Sequence, residues 1–256
     1  MKLTNYPKAD EVINILLSEI QSILGDKLVG LYLYGSLVWG DFDEDISDID
    51  LLVAVKAPID DEEFKRLQEM HNSFTEKFTE WDDRIEVQYL SLDALKTFKT
   101  KESEVVTISP GEPIEKRMVG KHWLMNWWMV REKGLTIFGP DPKTIIEPIS
   151  KEEFIQTVKE HTENWNEWVK GMYRKAAQAY AILTMCRAYY AFKNGDQVSK
   201  RQAAEWVKKE FPQYSKLIQD ALVWRDTGKR DKHEDKENYP KTEEFVNFVR
   251  KQILGS

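Results

Sequence analysis

The chain is expected to be an α+β protein, with a small α/β domain over residues 1–148 and an all-helical bundle over residues 149–256. Three observations lead there. In the first half, short apolar strand-like runs alternate with helical spacing. A Pro-rich stretch, 139–148, then interrupts the pattern as a boundary would. Beyond it only helical periodicity recurs. Of the 256 residues, 41% are hydrophobic and 12% aromatic, enough to fill a core in each part.

Residues 8–24 carry apolar side chains at Val12, Ile15, Leu16, Ile20 and Ile23 and stop at Gly25, which predicts a helix. Residues 28–34, LVGLYLY, read as a buried strand broken by Gly35-Ser36. Residues 41–47 form an acidic turn, and DIDLLVAV at 48–55 is a second strand. A helix is expected at 61–78 and a third strand, IEVQYL, at 85–90, with Ser91 capping a helix that begins at Leu92. Residues 100–116 contain Pro110, Gly111 and Pro113 and read as irregular. A Trp- and Met-rich helix is expected at 117–133, ended by Gly134, and a short strand at 135–138. Helices are then expected at 151–169, 172–193, 199–210, 214–225 and 241–253. Asn194-Gly195 breaks the second, Ser199 caps the third, Pro212 precedes the fourth, and the charged segment 229–238 is a solvated loop. The sequence contains no internal repeat.

The formal net charge of −7 hides an asymmetry. Residues 1–150 hold 17 Lys and Arg against 28 Asp and Glu, whereas residues 151–256 hold 20 against 16. Such a split is ordinary surface charge, or a division in which an acidic half holds cations and a basic half meets phosphates. The acidic total argues against a general nucleic-acid binder. The single cysteine, Cys186, cannot form an internal disulfide and sits in an apolar helix as a packing residue. The opening MKLTNYPKADEVINILL has no signal-like apolar run, and no stretch approaches the roughly 20 apolar residues of a membrane span, so a cytoplasmic protein is expected.

The segment that carries chemistry is Gly35-Ser36, an acidic turn, then Asp48-Ile49-Asp50, with Glu86 on the third strand. Residues two apart in a strand face the same side, so Asp48 and Asp50 point together. Adding Glu86 to that face gives three carboxylates that repel one another unless a cation lies between them. Mg²⁺ suits carboxylate and phosphate oxygens. A glycine lets the backbone approach a phosphate, and backbone N–H groups with the Ser36 hydroxyl can bind its oxygens. The set provides a metal site at Asp48 and Asp50 and, in Glu86, a carboxylate that takes a proton or joins the metal. Acidic pairs of this form also arise by chance as loop caps. What distinguishes this one is its conjunction with the strand, the Gly-Ser break and the third-strand glutamate. The sequence has no CxxC pair, HExxH or Walker A segment.

On these residues, LYGSLVWGDFDEDISDIDLLVAV resembles the signature of the nucleotidyltransferase superfamily with the DNA polymerase β-like fold. REKGLTIFGPDP (131–142) and AILTMCRAYYAFKNGDQVSKRQAAEWV (181–207) extend the resemblance to nearly the whole chain. Together they are similar to the aminoglycoside nucleotidyltransferases of the streptomycin/spectinomycin adenylyltransferase branch. The resemblance implies an α+β enzyme with a polymerase β-like N-terminal domain, a helical C-terminal domain and an active site in the cleft between them. It also implies Mg²⁺-dependent transfer of AMP from ATP to a hydroxyl of a small, cationic aminoglycoside or aminocyclitol, as in antibiotic resistance. Residue by residue, it places Asp48 and Asp50 on the metal, Glu86 as base with metal binding as its other role, and Gly35, Ser36 and Ser47 on the nucleotide. Arg187, Lys200 and Trp224 match further nucleotide contacts. A plain helix surface for the two cations, and core packing for the tryptophan, are the alternatives. Trp168 is matched to the acceptor, with Trp165 competing for its place; His122 is a candidate acceptor contact because it precedes the Trp-rich helix joining the two halves, with a structural or surface role as the alternative. The cluster Trp123, Trp127 and Trp128 is read as core between the two halves.

The sequence departs from that branch in GMYRKAAQAYAILTM, where Ala176, Ala177 and Ala179 stand in a region of acidic drug contacts. Losing an acidic contact weakens recognition of a polycation. The transfer chemistry is left intact and the acceptor open. Two rival functions follow: AMP transfer to a protein or other non-antibiotic acceptor, and non-catalytic nucleotide binding. A monomer or dimer, without nucleic-acid or membrane partners, is expected.

Overall fold

The computed structural model describes residues 2–228 and 234–255. The chain forms two compact units, Met1–Ile149 and Ser150–Ser256. The first runs α1 (Pro7–Leu24), β1 (Leu28–Tyr34), α2 (Ser36–Trp39), β2 (Ile49–Val55), α3 (Asp61–Lys77), β3 (Ile85–Ser91) and α4 (Leu92–Thr97). It continues through β4 (Ser103–Ser109), β5 (Glu112–Val119), α5 (Leu124–Lys133), β6 (Leu135–Phe138) and α6 (Pro142–Ile145). The described strands form one sheet in the order β5-β4-β3-β2-β1-β6. Only β2 and β3 pair in parallel, because α3 carries the chain back between them; the other pairings are antiparallel.

The two faces of the sheet have different work. Leu31, Leu33, Leu51, Val53, Val87 and Tyr89 pack in one core with Val12, Ile13, Leu16 and Ile20 of α1 and Leu67, Met70 and Phe74 of α3. Strand alternation sends Tyr34, Asp50, Glu86 and Gln88 to the opposite face. The apolar spacing in α1 therefore fixes which side of the sheet can carry charge. A capping box starts α3, with the Asp60 side chain accepting from Glu63 N–H and the Glu63 side chain accepting in return. Ser91 accepts Ala94 N–H at 3.1 Å, the expected cap of α4.

Two expectations fail in this unit. Residues 103–119 are a hairpin rather than irregular chain, paired from Ser103↔Val119 to Ser109↔Glu112. Pro110 and Gly111, with Gly111 at φ +79°, make its turn. Pro113 lies on β5, at the edge of the sheet, where a missing N–H is tolerated. The helix expected from 117 begins only at Leu124, since 117–119 complete β5. The Pro-rich stretch is strapped to its own unit: Tyr32 Oη donates to Pro140 O (2.9 Å), Glu147 N–H to Leu95 O (2.9 Å) and Lys99 Nζ to Pro148 O (2.6 Å).

The second unit contains α7 (Lys151–Thr162), α8 (Trp165–Trp168), α9 (Lys175–Asn194), α10 (Lys200–Glu210), α11 (Ser215–Gly228) and α12 (Tyr239–Leu254). α9 is its axis, packing on α7, α10, α11 and α12 through Ala181, Ile182, Met185 and Ala188. Cys186 is buried there and burial pushes its thiol up, which makes it packing rather than a nucleophile. Ser199 caps α10 within a capping box completed by Gln202. The long helix expected at 151–169 breaks after Thr162 into α7 and the short α8, and the helix expected at 172–193 starts only at Lys175, beyond Gly171 at φ +80°. Residues 229–233 of the expected charged loop lie outside the described residues; Glu234 forms an antiparallel bridge with Arg174. Among the described residues no helix is long and apolar enough to cross a membrane.

Candidate active site

Tyr34, Asp50 and Glu86 form a row across three adjacent strands. Tyr34 is the register partner of Asp50 on β1 and β2, and Asp50 that of Glu86 on β2 and β3. The aspartate and the glutamate thus lie side by side, 36 positions apart in the chain. Asp48 stands just before β2, one alternation step from Asp50 and on the same side.

The Gly-Ser break abuts this row. Gly35 has φ 73° and ψ −149°, a backbone open chiefly to glycine. A Cβ built there would run into the Asp50 carboxylate, so a larger residue would displace the Asp50 side chain as well as strain the turn. Gly35 O accepts from Val38 N–H and Trp39 N–H, both at 3.2 Å, which winds the half-buried Ser36 into α2.

Glu86 is oriented by two neighbours. Tyr34 Oη donates to Glu86 Oε1 at 3.2 Å, and Gln88 Nε2 donates to Tyr34 Oη at 2.9 Å and to Glu86 Oε1 at 3.4 Å. Burial, then the charges of Glu86 and Asp50, hold the Tyr34 hydroxyl well above its usual range, so it stays a donor. Tyr34 and Gln88 were missed in the sequence, although strand alternation places both on the carboxylate face. A third missed residue is Arg84, which donates from Nε and Nη2 to Ser47 O (3.0 and 2.7 Å) and from Nη1 to Glu80 O (3.2 Å). Ser47 itself is buried, its hydroxyl accepting Asp43 N–H at 2.9 Å to close the acidic turn.

In the second unit, three of the expected residues gather about one aromatic cluster. His161, Trp165, Trp168 and Tyr180 are in ring contact, with centroids 5.6 to 6.2 Å apart. Trp168 and Tyr180 keep about half their surface open, at 46% and 51%. Lys200 Nζ stands 5.3 Å over the Tyr180 ring. Trp165 Nε1 donates to His161 Nε2 at 3.3 Å, and His161 is lowered by burial and then by the charge of Arg187. Trp165 is buried, which leaves Trp168 as the one of the pair able to touch a ligand. Trp224 is half-buried on α11. His122 is exposed in the first unit, its Nδ1 4.0 Å from Glu102 Oε1, and does not join the carboxylate row. Trp127 packs edge-on against Phe98 of the same unit, with centroids 4.7 Å apart. Among the described residues, no three His, Cys, Asp or Glu side chains cluster as a ready-made metal cage.

A family model described as "Nucleotidyltransferase domain" matches residues 13–111, and one described as "Aminoglycoside adenylyltransferase, C-terminal domain" matches residues 144–252. The chain thus joins a nucleotidyltransferase domain to an aminoglycoside adenylyltransferase C-terminal domain. These domains make it a nucleotidyltransferase, a class that uses a divalent metal with its nucleotide. Spectinomycin 9-adenylyltransferases of Staphylococcus aureus strains Mu50 and N315 are each 24% identical to it, over 93% of this chain and 92% of theirs. The crystal structure of spectinomycin adenyltransferase AAD(9) from Enterococcus faecialis, with ATP and spectinomycin, shares the fold. Its TM-score is 0.73 at 19% identity, covering 94% of this chain and 98% of that one.

Proposed function

We propose that the protein transfers AMP from ATP to a hydroxyl of an aminoglycoside or aminocyclitol, with Mg²⁺ as the metal. The observation that carries this reading is the in-register pairing of Asp50 with Glu86 beside the Gly35 turn. The donor set fits Mg²⁺, which is held by one or two carboxylates together with substrate phosphates rather than in an all-protein cage. Asp48 and Asp50 would hold it, with Glu86, the register partner of Asp50, sharing it as its other role. When bound, Mg²⁺ supplies positive charge against the triphosphate and the leaving pyrophosphate.

The remaining steps belong to the protein. Gly35 and Ser36 offer backbone and hydroxyl contacts to the triphosphate, and Ser47 shapes the turn beside them. Arg187, Lys200 and Trp224 supply the nucleotide contacts of the helical unit. Trp168 offers an open aromatic face to the acceptor, and His122 is a second acceptor contact. The acceptor oxygen forms a bond to the α-phosphorus as the bond to pyrophosphate breaks, and the acceptor proton passes to Glu86. Tyr34 and Gln88, by holding Oε1, fix the direction from which that carboxylate takes the proton. The relatives' names favour an aminocyclitol such as spectinomycin as the acceptor.

Pyrophosphate release with ATP and Mg²⁺, measured against streptomycin, spectinomycin, kanamycin and lincomycin beside Glu86→Ala, tests this. Release that needs one drug and drops by about 10²–10⁴ in the variant is expected for loss of a general base. Turnover of no drug despite measurable ATP binding would reject the antibiotic acceptor in favour of a protein or another small molecule. Unchanged release by Glu86→Ala would remove the base.

A further inference from the structure

We infer that Arg84 is the positioning residue of the metal-binding carboxylates, fixing the loop that presents Asp48 and tying it to the strand that carries Glu86. The inference rests on the nucleotidyl-transfer reading above and adds a residue to it. Residues 41–48 contain Asp41, Asp43, Glu44, Asp45 and Asp48, so the loop tends to splay by its own repulsion. The cation set against it is buried, with Arg84 only 9% exposed. A buried guanidinium is unfavourable unless its N–H groups are used. Here Nε and Nη2 converge on Ser47 O, Nη1 takes Glu80 O, and the plane lies over the Trp81 ring, 4.5 Å from its centroid.

The same residue also acts through its main chain. Ile49 N–H donates to Arg84 O at 2.9 Å. Asp48 is therefore bracketed: the carbonyl before it is gripped by the Arg84 side chain, and the N–H after it by the Arg84 backbone. Glu86 lies two residues further along the strand that Arg84 leads into. One residue thus sets both the height of Asp48 and its offset from Glu86. Its charge also faces Asp48, Asp45 and Asp43, so the loop can hold its shape before a cation arrives. A lysine keeps that charge and loses the fork.

The test is Mn²⁺ binding by the full-length protein with α,β-methylene ATP, followed by the electron paramagnetic resonance of free Mn²⁺, beside thermal unfolding. For Arg84→Met, Mn²⁺ affinity is expected to fall about 10-fold or more, the scale of lost support behind metal ligands. Arg84→Lys, which decides if the Met variant does not fold, is expected to lose about 3-fold, and to lose nothing further in an Asp48→Asn background if the two residues act as one unit. Folded variants that bind Mn²⁺ as the wild type does, whatever their melting temperature, would overturn the proposal, as would a wild type that binds no Mn²⁺. If the wild type binds Mn²⁺ but turns over no acceptor, the antibiotic reading falls and the comparison of variants still decides Arg84.

Discussion

His71 shows how one side chain can make the stability of the first unit depend on pH. It is 2% exposed on α3, and its Nε2 lies 2.8 Å from Tyr89 Oη. Burial lowers its pKa from 6.5 to about 4. The unfolded chain takes up the proton near pH 6.5 and the folded one only near 4. The neutral imidazole's contribution is therefore fully present above about pH 6.5 and is lost as pH falls towards 4. Between pH 7 and 5 this group should remove about 2 kcal/mol of stability. Chemical denaturation of the wild type and His71→Gln at both pH values checks this; equal slopes would rule His71 out as the cause. Around the candidate site, the shared sheet face of Asp50 and Glu86 was legible because residues alternate sides along each strand. Tyr34 and Gln88 were not, because a tyrosine and a glutamine in apolar strands read as packing until their register with the carboxylates is known.

At the level of elements, the strands and most of the helices were legible because alternation and 3.6-residue spacing are local properties. The hairpin β4–β5 was hidden because its breakers are part of it. Pro110 and Gly111 make the turn, and Pro113 survives on an edge strand where no neighbour needs its N–H. The capping box of α10 bears on the proposed nucleotide contact of Lys200. Ser199 orders the first turn, and Lys200, the next residue, stands over Tyr180. Ser199→Ala should destabilise the protein by about 1 kcal/mol. It should also raise the KM for ATP more than it lowers kcat, because fraying of that turn releases Lys200. Steady-state kinetics against ATP decide this, and an unchanged KM would detach Lys200 from the nucleotide.

At the level of the molecule, charge is divided as the two units are. The first 150 residues carry the acidic excess and the remainder a basic one. A cationic acceptor drawn to the acidic part should bind less well as salt screens the attraction. Raising KCl from about 0.05 to 0.3 M should increase the acceptor KM several-fold while kcat holds. A flat KM would mean that recognition is apolar, with Trp168 as the remaining contact.

The parallel pairing of β2 with β3 bears on how the enzyme comes into being. Antiparallel neighbours can meet across a tight turn, but parallel ones wait for a crossover, here α3. A ribosome that has delivered the Gly35 turn and both aspartates has not yet delivered Glu86. Glu86 emerges 36 residues after Asp50 and reaches its place only once the crossover closes. Synthesis abandoned before that point would leave the proposed phosphate and metal contacts without the proposed proton acceptor, so unfinished chains are expected to turn over no ATP.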